Sequence, residues 1–140
     1  MHLFKQAFIV IGLVLVLHAV LLLTDGYSVN QIDTPMHFFG GFAMGMLGIA
    51  IHYEEASRYH TRHAPFWYHY TFVVGFAMLI GIAWEFHEYL FDQTINVWFN
   101  LPPSQISLGD TMKDFLMDLL GATLAFFLLK KHLYQMKRPL

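Results

Sequence analysis

The chain alternates between long apolar blocks and short polar connections. Four blocks come close to the roughly 20 residues that a membrane-spanning helix needs, at residues 3–23, 32–52, 69–91 and 111–129. Their side chains are apolar nearly all round, whereas a helix of a soluble bundle keeps one charged face. The pattern predicts an all-α, polytopic membrane protein whose four transmembrane helices form a bundle, in a single domain over residues 1–140.

Composition narrows the class of protein further. Hydrophobic residues make up 56% of the chain and charged residues 13%, against about 25% charged in soluble domains. This excludes a disordered chain and a soluble enzyme of ordinary composition, and the net charge of −2 excludes a nucleic-acid partner. There is no cysteine, so disulfides and thiolate metal sites are excluded. No small-x-small cleavage pattern follows the first block, which we expect to remain as a helix.

The positive residues predict an orientation in the membrane. Residues 26–31 and 92–109 contain neither lysine nor arginine. Positive residues remain in the cytoplasm, so we expect a multi-pass protein of the inner (cytoplasmic) membrane with both termini cytoplasmic and residues 92–109 outside. Seven of the eight lysines and arginines lie on the predicted cytoplasmic side: Lys5, Arg58, Arg62, Lys130, Lys131, Lys137 and Arg138.

Acidic residues and one histidine collect at the opposite, outer side. Asp114 and Asp118 lie one turn apart inside the fourth helix and share a face. Eight residues of helix rise about 12 Å, which carries Asp118 well into a hydrocarbon core about 30 Å thick. A carboxylate at that depth needs a partner or a wet cavity. A shared divalent cation is the simplest partner, and the ligands suit zinc, manganese, iron, magnesium or calcium. The candidate metal ligands are Asp33, His37, Glu85, Glu88, Asp110, Asp114 and Asp118.

Several of these polar residues have a structural alternative. Asp33 and Asp110 each stand at a helix start and suit a helix cap, and the buried acids could form a structural polar network. His87 should point away from its acidic neighbours by about 100–200°. His18 is expected to be a hydrogen-bonded interior residue. Gly41 and Gly45 have the small-x-x-x-small spacing of closely packed membrane helices.

The order of these motifs resembles the VanZ-like superfamily, and within it the YjdF-type inner-membrane proteins. The resemblance covers about residues 32–125 and implies a small multi-helix membrane protein, with one branch of the superfamily linked to glycopeptide-antibiotic resistance. We carry over only the fold and the polar positions. The motifs are Ile32-Asp33-x-x-x-His37-Phe38-x-Gly40-Gly41, Trp84-Glu85-x-x-Glu88, Gly109-Asp110-Thr111-x-x-Asp114 and Leu119-x-Gly121-Ala122.

Three functions are compatible with these residues. The first is a metal-dependent membrane hydrolase or transferase acting on a lipid or lipid-linked substrate, with Glu88 as general base. The second is an ion- or proton-coupled carrier, which with four helices requires a homo-oligomer. The third is an accessory membrane protein with a structural metal. An enzyme should have a cavity beside the acids. A carrier should have a second polar layer towards the cytoplasm, and a structural site should have closed coordination.

Overall fold

The computed structural model describes residues 2–29, 31–59 and 64–134, and every regular element within these ranges is helical. The all-α prediction is therefore confirmed. The long helices begin and end within a few residues of the predicted blocks, except that α2 runs six residues further. The elements are α1 (His2–Leu23), a 3₁₀ turn (Gly26–Ser28), α2 (Asp33–Arg58), α3 (Phe66–Phe91), a π-helical turn (Asp92–Asn96), α4 (Val97–Phe99), α5 (Leu108–Leu129) and α6 (Lys131–Tyr134).

Three segments of the described chain are long and apolar enough to cross a membrane: His2–Leu23, Asp33–Ala56 and Phe66–Phe99. The remaining long helix, α5, has four charged residues in its first half, which lowers its hydropathy. These are Asp110, Lys113, Asp114 and Asp118. The chain is thus a helical membrane protein with three candidate spans, and a fourth span through α5 stays a prediction.

Small residues bring α2 and α5 into their close contact. A Cβ at Gly41 would overlap the backbone of Asp118, and one at Gly121 would overlap the Phe38 carbonyl. A Cβ at Gly45 would stand 2.9 Å from that of Ala125. Small residues allow such close approach between membrane helices. The predicted packing role of Gly41 and Gly45 is confirmed.

The apolar core lies at one end of the bundle. Leu3 of α1, Ile49 of α2, Val73 of α3 and Phe126 of α5 form one buried cluster. This is the end where α1 begins and α2 ends, and it is called the His52 end below. At the opposite end, called the Asp33 end, the described interior is filled largely by polar side chains. The helices therefore bury apolar area at one end and a polar site at the other.

The predicted helix caps at Asp33 and Asp110 are wrong. Helix α2 begins at Asp33 itself, after Ile32, and no side chain caps it. An acid in the first turn still interacts favourably with the positive end of the helix dipole. In α5 the cap is Ser107, whose Oγ accepts a hydrogen bond from the Asp110 backbone N–H at 3.2 Å. Serine is a preferred N-cap because its oxygen satisfies an otherwise unpaired amide.

Candidate metal site

His37 of α2 stands at the centre of the buried polar side chains. Its Nε2 atom lies 3.6 Å from Asp33 Oδ2 and 3.7 Å from Glu85 Oε1. Its Nδ1 atom lies 3.4 Å from Asp118 Oδ2. Carboxylates of three different helices thus surround one imidazole. We call this set, with Glu88 and Asp114, the acid–histidine cluster.

Four members of the cluster are almost fully removed from solvent. The exposed fractions are 6% for His37, 5% for Glu85, 2% for Asp114 and 4% for Asp118. Three polar atoms among them have no hydrogen-bond partner within the described chain: His37 Nε2, Glu85 Oε1 and Asp114 Oδ1. Leaving such a group unpaired in the interior costs about 1–3 kcal/mol, and more for a charged group. The cluster therefore has unused coordinating capacity.

Two overlapping groups of ligand atoms have the spacing of a metal site. One consists of Asp33, His37 and Asp114, and the other of His37, Glu85 and Glu88. Within each group all ligand atoms lie within 4.8 Å of one another. Ligands bound at about 2.0–2.2 Å from a tetrahedral ion stand about 3.4 Å apart, close to the N–O separations of 3.4–3.7 Å around His37. The residues present fit a divalent ion.

Asp110 and Asp118 are the two predicted ligands that neither group includes, and Asp110 is paired with a lysine. Its Oδ1 accepts a hydrogen bond from Lys113 Nζ at 2.6 Å. The pair is only three residues apart along α5, so it forms without help from another helix. This pairing turns the Asp110 carboxylate towards a cation that the chain itself supplies.

Asp118 reaches His37 through a gap that a glycine provides. A side chain at Gly81 of α3 would overlap the Asp118 carboxylate. Asp118 is the only member of the cluster seen against Nδ1 rather than Nε2 of His37. A carboxylate on the second nitrogen fixes the tautomer and the ring orientation of a histidine. The first nitrogen is thereby directed at the remaining acids.

Gln105 lies on the cluster from the loop before α5. Its Nε2 donates to Glu85 Oε2 at 3.0 Å and to Thr111 Oγ1 at 3.1 Å. Asp92 holds this loop in place, since its carboxylate accepts the backbone N–H groups of Ser104 and Gln105 at 2.7 and 2.9 Å. The π-helical turn that contains Asp92 is a feature common at functional sites. One oxygen of Glu85 is thus fixed by the loop while the other faces His37.

An aromatic group borders the cluster on its other side. Trp84 Nε1 donates to Glu88 Oε1 at 2.9 Å, and the Trp84 ring meets the edge of the His18 ring at 5.2 Å. His18 Nδ1 is hydrogen-bonded to the Tyr27 hydroxyl at 2.5 Å, which confirms the expected hydrogen bond, and the His18 side chain is half-buried. His87 is exposed and its ring is tilted against that of Trp84, away from the cluster as predicted.

The Tyr27 hydroxyl stays protonated at neutral pH. Burial raises the pKa of Tyr27, and the nearby carboxylates of Asp33 and Glu88 raise it further. A neutral phenol can donate or accept a hydrogen bond, so it adds a polar group beside the acids without adding charge. Gln105, Trp84 and Tyr27 had no role assigned from the sequence, although Trp84 belongs to the Trp84-Glu85-x-x-Glu88 motif.

A cleft opens beside the cluster, between α1 and α3 and above α2. Its volume is about 120 Å³, and its walls are mostly apolar, with Ile11, Met44 and Ala77 at one end. His37 and Asp118 also line it. A cavity is therefore present beside His37 and one of the acids, Asp118.

A second buried polar pair occupies the His52 end. His52 Nε2 and His69 Nδ1 lie 2.7 Å apart, and both rings are buried. Phe72 stacks on His52 with 4.3 Å between ring centres. Sequence reasoning missed this pair because His52 and His69 stand at the ends of the predicted apolar blocks, next to the polar connection between them.

Part of the predicted orientation lies outside the described residues, namely Arg62, Lys137 and Arg138. The described basic residues Lys5, Lys130 and Lys131 belong to the His52 end, at the start of α1 and around the end of α5. Lys130 Nζ stands 4.6 Å from the centre of the Phe127 ring. The segregation of these charges from the acids follows the sequence pattern.

The fold and the site together define a helical integral membrane protein with a buried acid–histidine cluster. Residues 3–134 match the family described as predicted membrane protein (DUF2238), and the chain belongs to that family. It matches no curated protein and no solved structure. The family match does not extend to the VanZ-like superfamily or to YjdF-type proteins, so that resemblance stays a prediction.

Proposed function

We propose that the acid–histidine cluster binds a divalent metal ion and that the protein is a metal-dependent membrane enzyme acting on a lipid or lipid-linked substrate. One observation carries the proposal. Three unpaired buried atoms, His37 Nε2, Glu85 Oε1 and Asp114 Oδ1, come from three helices, and their residues belong to the two overlapping groups of candidate ligands. A cation removes the cost of burying them.

We assign distinct roles to the residues of the cluster. His37 Nε2, Asp33, Glu85 and Asp114 hold the ion, and Asp118 orients His37 through Nδ1. A bound divalent ion supplies Lewis acidity, which polarises a phosphoryl or carbonyl oxygen or lowers the pKa of water. Glu88 acts as general base, with one oxygen fixed by the Trp84 N–H. Asp110 is left out because Lys113 neutralises it.

The surroundings of the cluster favour an enzyme over a structural metal site. A structural site has closed coordination, whereas here a cleft with apolar walls reaches His37 and Asp118. A carrier is the second candidate, favoured by the polar pair of His52 and His69 at the other end. Fifteen residues of α2 separate His37 from His52, about 22 Å of helix, and Met46 and Ile49 between them are buried and apolar. A carrier needs a polar path there.

We further propose that α5 is the fourth span and that the Asp33 end faces outward in the cytoplasmic membrane. The charged residues of α5 lie on or near the cluster, so they do not need to face lipid. The described basic residues other than Lys113 collect at the His52 end, as expected for the cytoplasmic side; they are Lys5, Arg58, Lys130 and Lys131. This orientation puts the cluster in the outer half of the bilayer, where lipids of that leaflet can reach it.

Metal content of the purified protein tests the proposal. The protein in detergent is loaded in turn with zinc, manganese, ferrous iron, magnesium and calcium, desalted, and examined by elemental analysis. We expect one of these ions to remain bound in wild type, because the unpaired atoms of the cluster coordinate it. Glu85→Gln and Asp114→Asn each remove one ligand and should release the ion.

Glu54→Gln is the matched control, because it removes an acid of α2 at the opposite end. It should retain the wild-type metal content. Absence of every ion from wild type, or equal metal content in wild type, Glu85→Gln and Asp114→Asn, would contradict the metal site.

A further inference from the structure

The cleft between α1 and α3 has a polar end and an apolar end. His18, Tyr27, Trp84 and His37 line it near the Asp33 end, and Ile11, Met44 and Ala77 line the far end. From Met36 to Met44 the cleft follows eight residues of α2, about 12 Å of helix rise. Its two ends therefore differ in chemistry over the length of a short hydrocarbon segment.

The open side of the cleft is on the outer surface of the helix bundle, which faces the lipid in a membrane. Helix α1 buries only Leu3 and Ala7, and the cleft-lining residues Leu15 and Ile80 are 52% and 38% exposed. In a bilayer, apolar surface of this kind is covered by hydrocarbon chains rather than by water. A cavity of about 120 Å³ is below the roughly 300–1,000 Å³ of a pocket that encloses a whole drug-sized ligand. It suits part of one chain, with the rest of the molecule outside.

We propose that this cleft binds one hydrocarbon chain of a membrane lipid, entering sideways between α1 and α3 with the lipid head at the acid–histidine cluster. The inference rests on the proposed function and specifies its substrate as a lipid held by its chain. The polar end lies towards the membrane surface at the Asp33 end and the apolar end towards the bilayer centre. A lipid of that leaflet already has this orientation, so it enters without turning over.

Gly40 offers a way to fill the cleft without disturbing the helix contacts. It lines the cleft, and a Cβ added there meets nothing within 4 Å. Gly75 of α3 likewise has nothing within 4 Å of an added Cβ, but it does not line the cleft. Gly40→Leu and Gly75→Leu therefore form a matched pair that differs in whether the new side chain occupies the cleft.

Fluorescence of Trp84 reports on the occupant, because Trp84 lines the cleft. The other two tryptophans, Trp67 and Trp98, are 65% and 82% exposed and are replaced by phenylalanine. The single-tryptophan protein is placed in vesicles containing phosphatidylcholine brominated along its acyl chains, with chelator present throughout. A bound chain should quench Trp84 with a saturable dependence on the fraction of brominated lipid.

We expect Gly40→Leu to lose the saturable quenching and Gly75→Leu to keep it. Ile80→Phe fills the cleft from the α3 wall and should also lose the saturable quenching. This variant replaces Gly40→Leu in the test if Gly40→Leu does not fold. Quenching that is equal in all of these variants, or not saturable in wild type, would overturn the proposal. Because the quenching is measured without metal, the two proposals are tested separately. An error in the proposed metal site would be seen in the metal content of the purified protein, and an error in the proposed lipid site would be seen in the quenching of Trp84.

Discussion

The two ends of the bundle each bury histidine, and they surround it with opposite chemistry. At the Asp33 end, His37 faces Asp33, Glu85 and Asp118 across 3.4–3.7 Å. At the His52 end, His52 faces another histidine, His69, across 2.7 Å. One imidazole lies among carboxylates and the other lies against a second imidazole.

This difference decides what each end requires from outside the chain. Two neutral imidazoles pair through one nitrogen of each ring, since the N–H of one donates to the bare nitrogen of the other. His52 Nδ1 is left without a hydrogen-bond partner in the described chain, but the pair carries no charge. A single histidine among several carboxylates leaves acceptors in excess, and two carboxylate atoms there have no partner in the described chain, Glu85 Oε1 and Asp114 Oδ1. The Asp33 end therefore has an excess of acceptors that a cation would satisfy, whereas the uncharged pair at the His52 end packs among aromatic rings.

The largest expected effect is the increase in the free energy of unfolding that a metal bound at the Asp33 end produces. At a free metal concentration of about 100 times Kd, binding raises the free energy of unfolding by about 2.7 kcal/mol. We expect this increase in wild type and in His52→Leu, because the cluster is intact in both. His37→Leu removes the central ligand and should show no increase. Thermal unfolding in detergent with metal and with chelator measures the difference, and loss of the increase in His52→Leu would contradict the separation of the two ends.

A double-mutant cycle at His52 and His69 tests whether the other end is self-contained. Each single change to leucine leaves the partner imidazole without this hydrogen bond and should cost about 1–3 kcal/mol. Replacing both histidines leaves no imidazole without this hydrogen bond. The double variant should therefore lose clearly less stability than the sum of the two single losses. Denaturant unfolding of the four proteins gives the coupling energy. Additive losses would show that the 2.7 Å contact does not stabilise the fold.

The smallest effect concerns the loop that covers the cluster. Gln105→Ala removes the donor to Glu85 Oε2 while leaving every proposed ligand in place. Loss of such an outer partner weakens metal binding about tenfold, or about 1.4 kcal/mol. Ile106→Ala is the control, because Ile106 follows Gln105 in the same loop and its side chain is 77% exposed. A titration with the bound metal compares the two, and equal affinities would exclude a role for Gln105.

Local rules were enough to predict the helices and the meeting of the acids. The length of the apolar blocks sets the helix ends to within a few residues at most boundaries, because a spanning helix has a fixed rise per residue. Alternating direction then brings the start of α2, the end of α3 and the start of α5 to one level. His37, Glu85 and Asp114 meet there, as their spacing on separate helices indicated.

Contacts made by loops and by ring orientation could not be predicted in this way. Gln105 reaches Glu85 only because Asp92 holds the loop by two backbone N–H groups, and no periodic pattern encodes that turn. The capping of α5 by Ser107 rather than Asp110 also depends on where the loop becomes extended. Such features depend on loop conformation rather than on side-chain periodicity.

The sequence by itself determined that this chain is a helical membrane protein with its acids concentrated at one end. Hydropathy and helix periodicity act over neighbouring residues, so the order of the side chains is sufficient to specify them. The tertiary structure decided which atoms face each other: Asp118 lies at Nδ1 of His37, in space left by Gly81, and a cleft adjoins the cluster. Those relations depend on how closely helices approach and how side chains rotate, which only packing in three dimensions defines.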